Sequence, residues 1–212
     1  MTFKQKWANY WYHYKWHTFG ALFALILIVL AILSFSKKTE PDLYIVYMSN
    51  SFISDEQQEK FREGLPKDKA VSDVDGDGEV LIYMDAIMHT FDVNDPVDES
   101  TAAKLQTVLY GGQHHLMLVH QYALEDYDDF GLFEDISDHV EKGDKVFKSP
   151  TEGFVSAISV EGNKYLESYG INTKDLYITL RRRTPEDIEK GEEKEYFDQA
   201  YKTMNFILNH QR

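Results

Sequence analysis

Cysteine is absent from all 212 residues. Disulfides, thiolate metal sites and a lipidated cysteine are thereby excluded, and any tether to a membrane must come from the chain itself. Acidic residues are missing before Glu40, and Thr18 to Ser36 carries no charge of either sign. There is no Gly-x-Ser-x-Gly elbow, phosphate loop, dinucleotide fingerprint or His-Glu-x-x-His helix. Without those motifs the chain is expected to be non-enzymatic. Internal repeats and low-complexity linkers are absent too.

What is present begins with the uncharged stretch. Its centre, Ala21 to Leu33, is apolar throughout. At about 1.5 Å of rise per residue, nineteen residues nearly match a hydrocarbon layer of about 30 Å. Only a helix satisfies every backbone amide there, so residues 18–36 are expected to form a transmembrane helix contacting the lipid bilayer. A buried core helix, the alternative, rarely lacks a polar stripe over five turns. All three tryptophans, Trp7, Trp11 and Trp16, precede the run, with Tyr10, Tyr12 and Tyr14 among them. Such rings concentrate at headgroup level. Lys4, Lys6 and Lys15 make this leader basic.

Orientation follows from layout rather than charge, because Lys37 and Lys38 offset the three leader lysines. A short basic segment before one apolar run is the usual N-in, C-out arrangement of a signal-anchor. The alternative is a cleaved signal peptide, for which Ser34-Phe35-Ser36 offers small residues. Its apolar core exceeds the usual length of about 7–15 residues, however. The organisation expected is a cytoplasmic leader at 1–17, the membrane helix at 18–36, a spacer at 37–42 and an extracellular domain at 43–212. The protein is thus placed in the cell membrane as a single-pass chain.

Net charge is −14 over the whole chain. Five of the 22 basic residues and none of the 36 acidic ones precede Thr39, which leaves the remainder at −19. A surplus of carboxylates excludes nucleic acid as a partner. The remainder is long enough for one domain with its own core.

Leu43–Met48 reads as a strand buried on both faces. Ser54 with Gln57 makes a capping box opening a helix that continues through Phe61 and Leu65 until Pro66 ends it. A second strand is expected at Val80–Met84, a helix from Ser100 to Gly111-Gly112, and a third strand at His115–Val119. Alternation at this spacing predicts an α/β fold, a single doubly wound, mostly parallel sheet. Tyr122–Asp129 reads as a short helix and Phe154–Val160 as a fourth strand. Asn163–Tyr169 reads as a brief helix, Leu176–Leu180 as a fifth strand, and Thr184-Pro185 as a cap. A final helix from Glu192 to His210 carries Phe197, Ala200, Tyr201, Met204 and Leu208 on one face.

The segments Lys104-Leu105, Gly111-Gly112, Leu116–Val119, Tyr122–Leu124 and Gly131–Ser137 together resemble the first lobe of bacterial extracellular solute-binding proteins. The whole chain also resembles a group of single-pass membrane proteins of Gram-positive bacteria. The shared features are the aromatic leader Trp11–His17, one membrane helix and an aspartate-glycine loop like Asp73–Gly78. The resemblance implies one lobe of a periplasmic-binding-protein fold. Solute-binding proteins close two lobes over a ligand and are about twice this size, so no binding residues carry over.

Asp73, Asp75 and Asp77, followed by Gly78, match the first half of a calcium loop, in which hard oxygens converge over a tight turn. The twelfth position is Met84 rather than glutamate, Asp85 lies one residue beyond, and a strand follows where a helix should. The two readings are a weak, extracellular-type calcium site and an acidic turn feeding the second strand. Histidines 89, 114, 115, 120, 139 and 210 have no shared ligand spacing, and read as solvated or strand-end residues. Arg181-Arg182-Arg183 is expected to pair within the chain, with Glu186, Asp187 and Glu189, the alternative being an anionic partner or a lipid headgroup.

The function expected is a membrane-anchored binding or interaction module resembling a solute-binding lobe, with its small ligand unidentified and no catalytic residues or bound cofactor beyond the calcium alternative. The competing reading is a structural subunit of a membrane complex, with a membrane protein as partner and no small ligand.

Overall fold

The computed structural model describes residues 2–35, 40–88, 99–111, 113–183 and 194–210. Two compact units emerge, Met1–Glu40 and Pro41–Arg212. The first is one helix, α1 (Phe3–Phe35), long and apolar enough to cross a membrane. The expected leader and membrane segment are therefore one continuous helix. Its apolar side chains from Leu22 to Leu30 are about half exposed. In water such a surface would be strongly unfavourable, and in lipid it is the stable one.

The second unit is a single six-stranded sheet. Its strands are β1 (Leu43–Ser49), β2 (Ile82–Met88), β3 (Leu116–His120), β4 (Val146–Lys148), β5 (Val155–Ser159) and β6 (Leu176–Leu180). Their order is β2-β1-β3-β6-β5-β4. β1 pairs in parallel with β2 and β3, whereas β3–β6, β5–β6 and β4–β5 are antiparallel. The sheet is mixed, which corrects the expectation of a mostly parallel one. Crossover length is the reason. The turn at Ser149–Phe154 is too short for anything but a hairpin, and α5 (Lys164–Ser168), the only helix between β5 and β6, is too short to carry the chain back along the sheet. β4, three residues long, escaped the sequence reading because so short a run has no legible period.

Helices cover both faces. α2 (Asp55–Lys67), α5 and α6 (Lys194–Asn209) lie on one side, where Phe61, Leu65, Leu166, Ala200 and Met204 pack on Leu43, Ile45 and Tyr47. α3 (Glu99–Tyr110) and α4 (Gln121–Tyr127) cover the other, with Leu105, Val108 and Leu124 against Val46 and Met48. Alternate residues of β1 thus feed two cores, as its unbroken apolar sequence requires.

Ser54 caps α2 as expected. Its hydroxyl accepts from Gln57 N at 3.2 Å, and Gln57 Oε1 accepts from Ser54 N at 2.8 Å. Gln57 Nε2 also donates to Gly170 O across the chain at 3.0 Å. Pro66 does not end α2 but sits in its last turn, and the helix closes when Asp68 N bonds to Gly64 O. The expected cap at Thr184-Pro185, the start of the last helix at Glu192, Gly112 and His89 lie outside the described residues.

Candidate functional site

The order β2-β1-β3 makes the chain leave β1 for one neighbour and return past it to the other. The loops leaving β1 and β3 therefore diverge at their carboxyl ends, the place where open α/β sheets form ligand crevices. Pairing of Met48 with Val119 brings Ser49 and His120 side by side at that edge. Ser49 and His120 are buried, while Phe52 and Tyr122, which follow them, are 70% and 52% exposed. The start of β6 joins the same edge, since Leu176 pairs with His120 and Gln121 N bonds to Asp175 O at 2.9 Å. Asn172 Nδ2 donates to Ser51 Oγ at 2.7 Å, and Ser51 N donates to Ser49 Oγ at 3.2 Å. His120 Nδ1 accepts from Tyr122 N at 3.3 Å, so the imidazole caps α4 and its ring lies 5.0 Å from that of Tyr122. Burial lowers the His120 pKa, against the opposing pull of Asp175 and Glu125. The edge thus offers two exposed aromatic faces beside hydroxyl and amide groups held by a rigid sheet, a surface suited to recognition.

The acidic loop lies at the other end of the sheet, before β2. Asp42, Asp73 and Asp75 bring carboxylate oxygens within 4.8 Å of one another. Asp77 is not in this set, and Asp42, which the sequence reading placed in a spacer, is. Asp42 is buried and accepts from Val74 N and from Leu81 N, the latter at 2.8 Å. Asp73 accepts from Gly76 N at 2.6 Å and Gly78 N at 2.9 Å, and Asp77 accepts from Glu79 N at 2.8 Å. Gly76 and Gly78 take φ values of +74° and +90°, which let both amides turn inward. These bonds explain the loop as a self-supporting turn. The converging carboxylates of Asp42, Asp73 and Asp75 are the groups that would hold a hard cation.

The histidines at the start of β3 diverge to opposite faces, as strand geometry predicts, but they are buried rather than solvated. His115 packs 4.4 Å from the Phe197 ring on the α6 side. His114 packs among Tyr44 and Tyr83 on the other side, with Nε2 2.9 Å from Asp85 Oδ2. Burial lowers the His114 pKa, the bond to Asp85 opposes that shift, and Arg181 reinforces it. The hydrogen bond to Asp85 satisfies Nε2, whereas Nδ1, buried among the rings, has no hydrogen-bond partner among the described residues. His139 and His210 bond to Asn205 Oδ1 and Phe206 O, and among the described residues neither joins a converging ligand set.

Glu186, Asp187 and Glu189, the expected partners of the arginine run, lie outside the described residues. Within them, Arg182 pairs with Glu152 at 3.0 Å and Arg183 with Glu134 at 3.3 Å. Arg181 Nη1 donates to Val108 O at 2.7 Å, near the carbonyl end of α3, where a cation is favoured.

At this edge the sequence singles out His120, as one of six histidines without ligand spacing, and Tyr122, as the start of a short helix, but neither Ser49 nor Phe52. The expected strands end at Met48 and Val119, and the aromatics Phe52 and Tyr122 just beyond them are the signal the sequence holds. No protein-family model, curated protein or solved structure matches the chain.

Proposed function

We propose that this chain is a membrane-anchored, non-enzymatic binding module, with α1 in the lipid and the mixed α/β unit outside the cell. One observation carries the reading. Phe52 and Tyr122 are large, exposed aromatics at the carboxyl ends of β1 and β3, where the strand order diverges. A solute-binding lobe presents its ligand face at such an edge, and helices on both faces of a sheet with parallel β2-β1-β3 strands support the analogy. Neither side chain is needed to fill a core, so a role in contact accounts for them better than packing does.

The test is a thermal-shift screen of the full chain in detergent against sugars, peptides and metals. A ligand of the folded state raises the melting temperature. The rise should vanish in Phe52→Ala and Tyr122→Ala while the unliganded melting temperature stays put. No shift with any compound returns the chain to the structural-subunit reading. Topology is tested separately. A tag after Arg212 should be cut by protease on intact cells and a tag before Met1 protected; the reverse pattern removes the extracellular placement.

A further inference from the structure

A groove of about 470 Å³ runs along α1, lined by Trp7, Ala8, Trp11, Tyr12 and Lys15. Ala8, Trp11, Tyr12 and Lys15 stand at i, i+3, i+4 and i+7, so they frame one opening on one helical face. The Ala8 methyl keeps its floor low. The Trp7 and Trp11 rings stack with centroids 6.3 Å apart and planes inclined by 14°, which fixes one wall. Tyr12 stands edge-on to His13 at 5.0 Å and forms the other. Lys15 closes the end nearest the apolar run.

Position and charge identify the occupant. Lys15 precedes Thr18 by three residues, which sets its backbone about 4–5 Å outside the hydrocarbon, at phosphate level. The aromatic walls extend from there through the headgroup layer. The leader carries Lys4, Lys6 and Lys15 with no acidic residue, so the groove is complementary to an anion. A second copy of the same helix would instead bring three more lysines to the same place.

We infer that this groove is a binding site for an anionic phospholipid, with its phosphate on Lys15 and its headgroup lying between Trp7, Trp11 and Tyr12. The inference rests on α1 lying in a membrane and deepens that part of the functional reading. It is independent of what the outer unit binds.

All three tryptophans of the chain lie in this leader, so indole fluorescence reports on it without labels. The full chain is reconstituted in nanodiscs of phosphatidylcholine with a minority of phosphatidylglycerol. Bromine is placed near the headgroup end of the acyl chains of one lipid or the other. At equal mole fraction, brominated phosphatidylglycerol should quench more strongly. Lys15→Gln should lower that preference by about fivefold, the factor carried by one lysine near a charged surface. Ala8→Leu keeps an apolar helix former but fills the floor, and should abolish the preference without changing helical content. Equal quenching by both lipids in the unmodified chain, or a preference surviving in both variants, overturns the site. Quenching lost as chain density rises would report a second helix in the groove and overturns it as well. Absence of quenching by either lipid is a different result, since it removes the membrane placement of α1 itself.

Discussion

Asp42 lies beneath the loop that Asp73 organises, with their carboxylates within 4.8 Å of each other. One group is buried and braces the loop from below; the other is exposed and folds it over Gly76 and Gly78. The first residues of the α/β unit and the approach to β2 are thereby locked together. Asp42 N also donates to Leu81 O at 2.8 Å.

Removing that brace should destabilise the α/β unit. Asp42→Ala leaves Val74 N and Leu81 N without a charged acceptor, a loss of about 3 kcal/mol. Asp77→Asn, at an exposed position, should change stability by less than about 0.5 kcal/mol. Urea unfolding followed by far-UV circular dichroism separates the two, and equal effects would refute the asymmetry.

Calcium tests the same loop. Three converging carboxylates repel one another, so about 10 mM calcium should raise the melting temperature by about 3–6 °C at the weak affinities of extracellular sites. Chelator should reverse the rise. Asp75→Asn should abolish it, whereas Asp77→Asn should retain it because Asp77 lies outside the converging set. An unmoved melting temperature leaves the loop as an acidic turn only.

Acid should weaken the α/β unit before its carboxylates titrate. His114 and His120 both have folded-state pKa values below their ordinary one, chiefly through burial. Between the ordinary histidine pKa of about 6.5 and those lowered values, the unfolded chain binds more protons than the folded one. Stability is therefore full above about pH 6.5 and declines as pH falls through that window. Asp85 and Arg181 face His114, while Asp175, Glu125 and Lys174 surround His120, and both shifts include their fields. His114→Gln should flatten part of the decline in a series of melts from pH 7.5 to 5. An unchanged slope would assign the effect elsewhere.

Gly170 is expected to be among the least replaceable glycines. Its φ is +78°, and a Cβ there would meet Gln57 Nε2 at 2.2 Å. Gly170→Ala combines left-handed strain with displacement of the side chain that completes the α2 capping box, a loss of about 2–3 kcal/mol. Gly143→Ala, also at positive φ but with no atom within 4 Å, should show the strain alone. Equal losses in the two variants would remove the steric part.

Much of the architecture is written locally. Nineteen uncharged residues before Lys37 are enough for a membrane-length helix, because backbone satisfaction and hydrocarbon thickness leave no other form. Ser54 and Gln57 announce a helix start because both bonds of a capping box close within four residues. β1 declares burial on both faces through its unbroken apolar run. What the chain could not declare are relations between segments far apart in it. The antiparallel insertion of β6 between β3 and β5 depends on which strand edge is free once β1 has taken β2 and β3. Asp42 replaces Asp77 in the converging set because parallel pairing of β1 with β2 brings the approaches to both strands together. Phe52 and Tyr122 share one edge for the same reason: pairing of β1 with β3 is set by packing across the whole sheet, and no residue-to-residue spacing in the sequence encodes it.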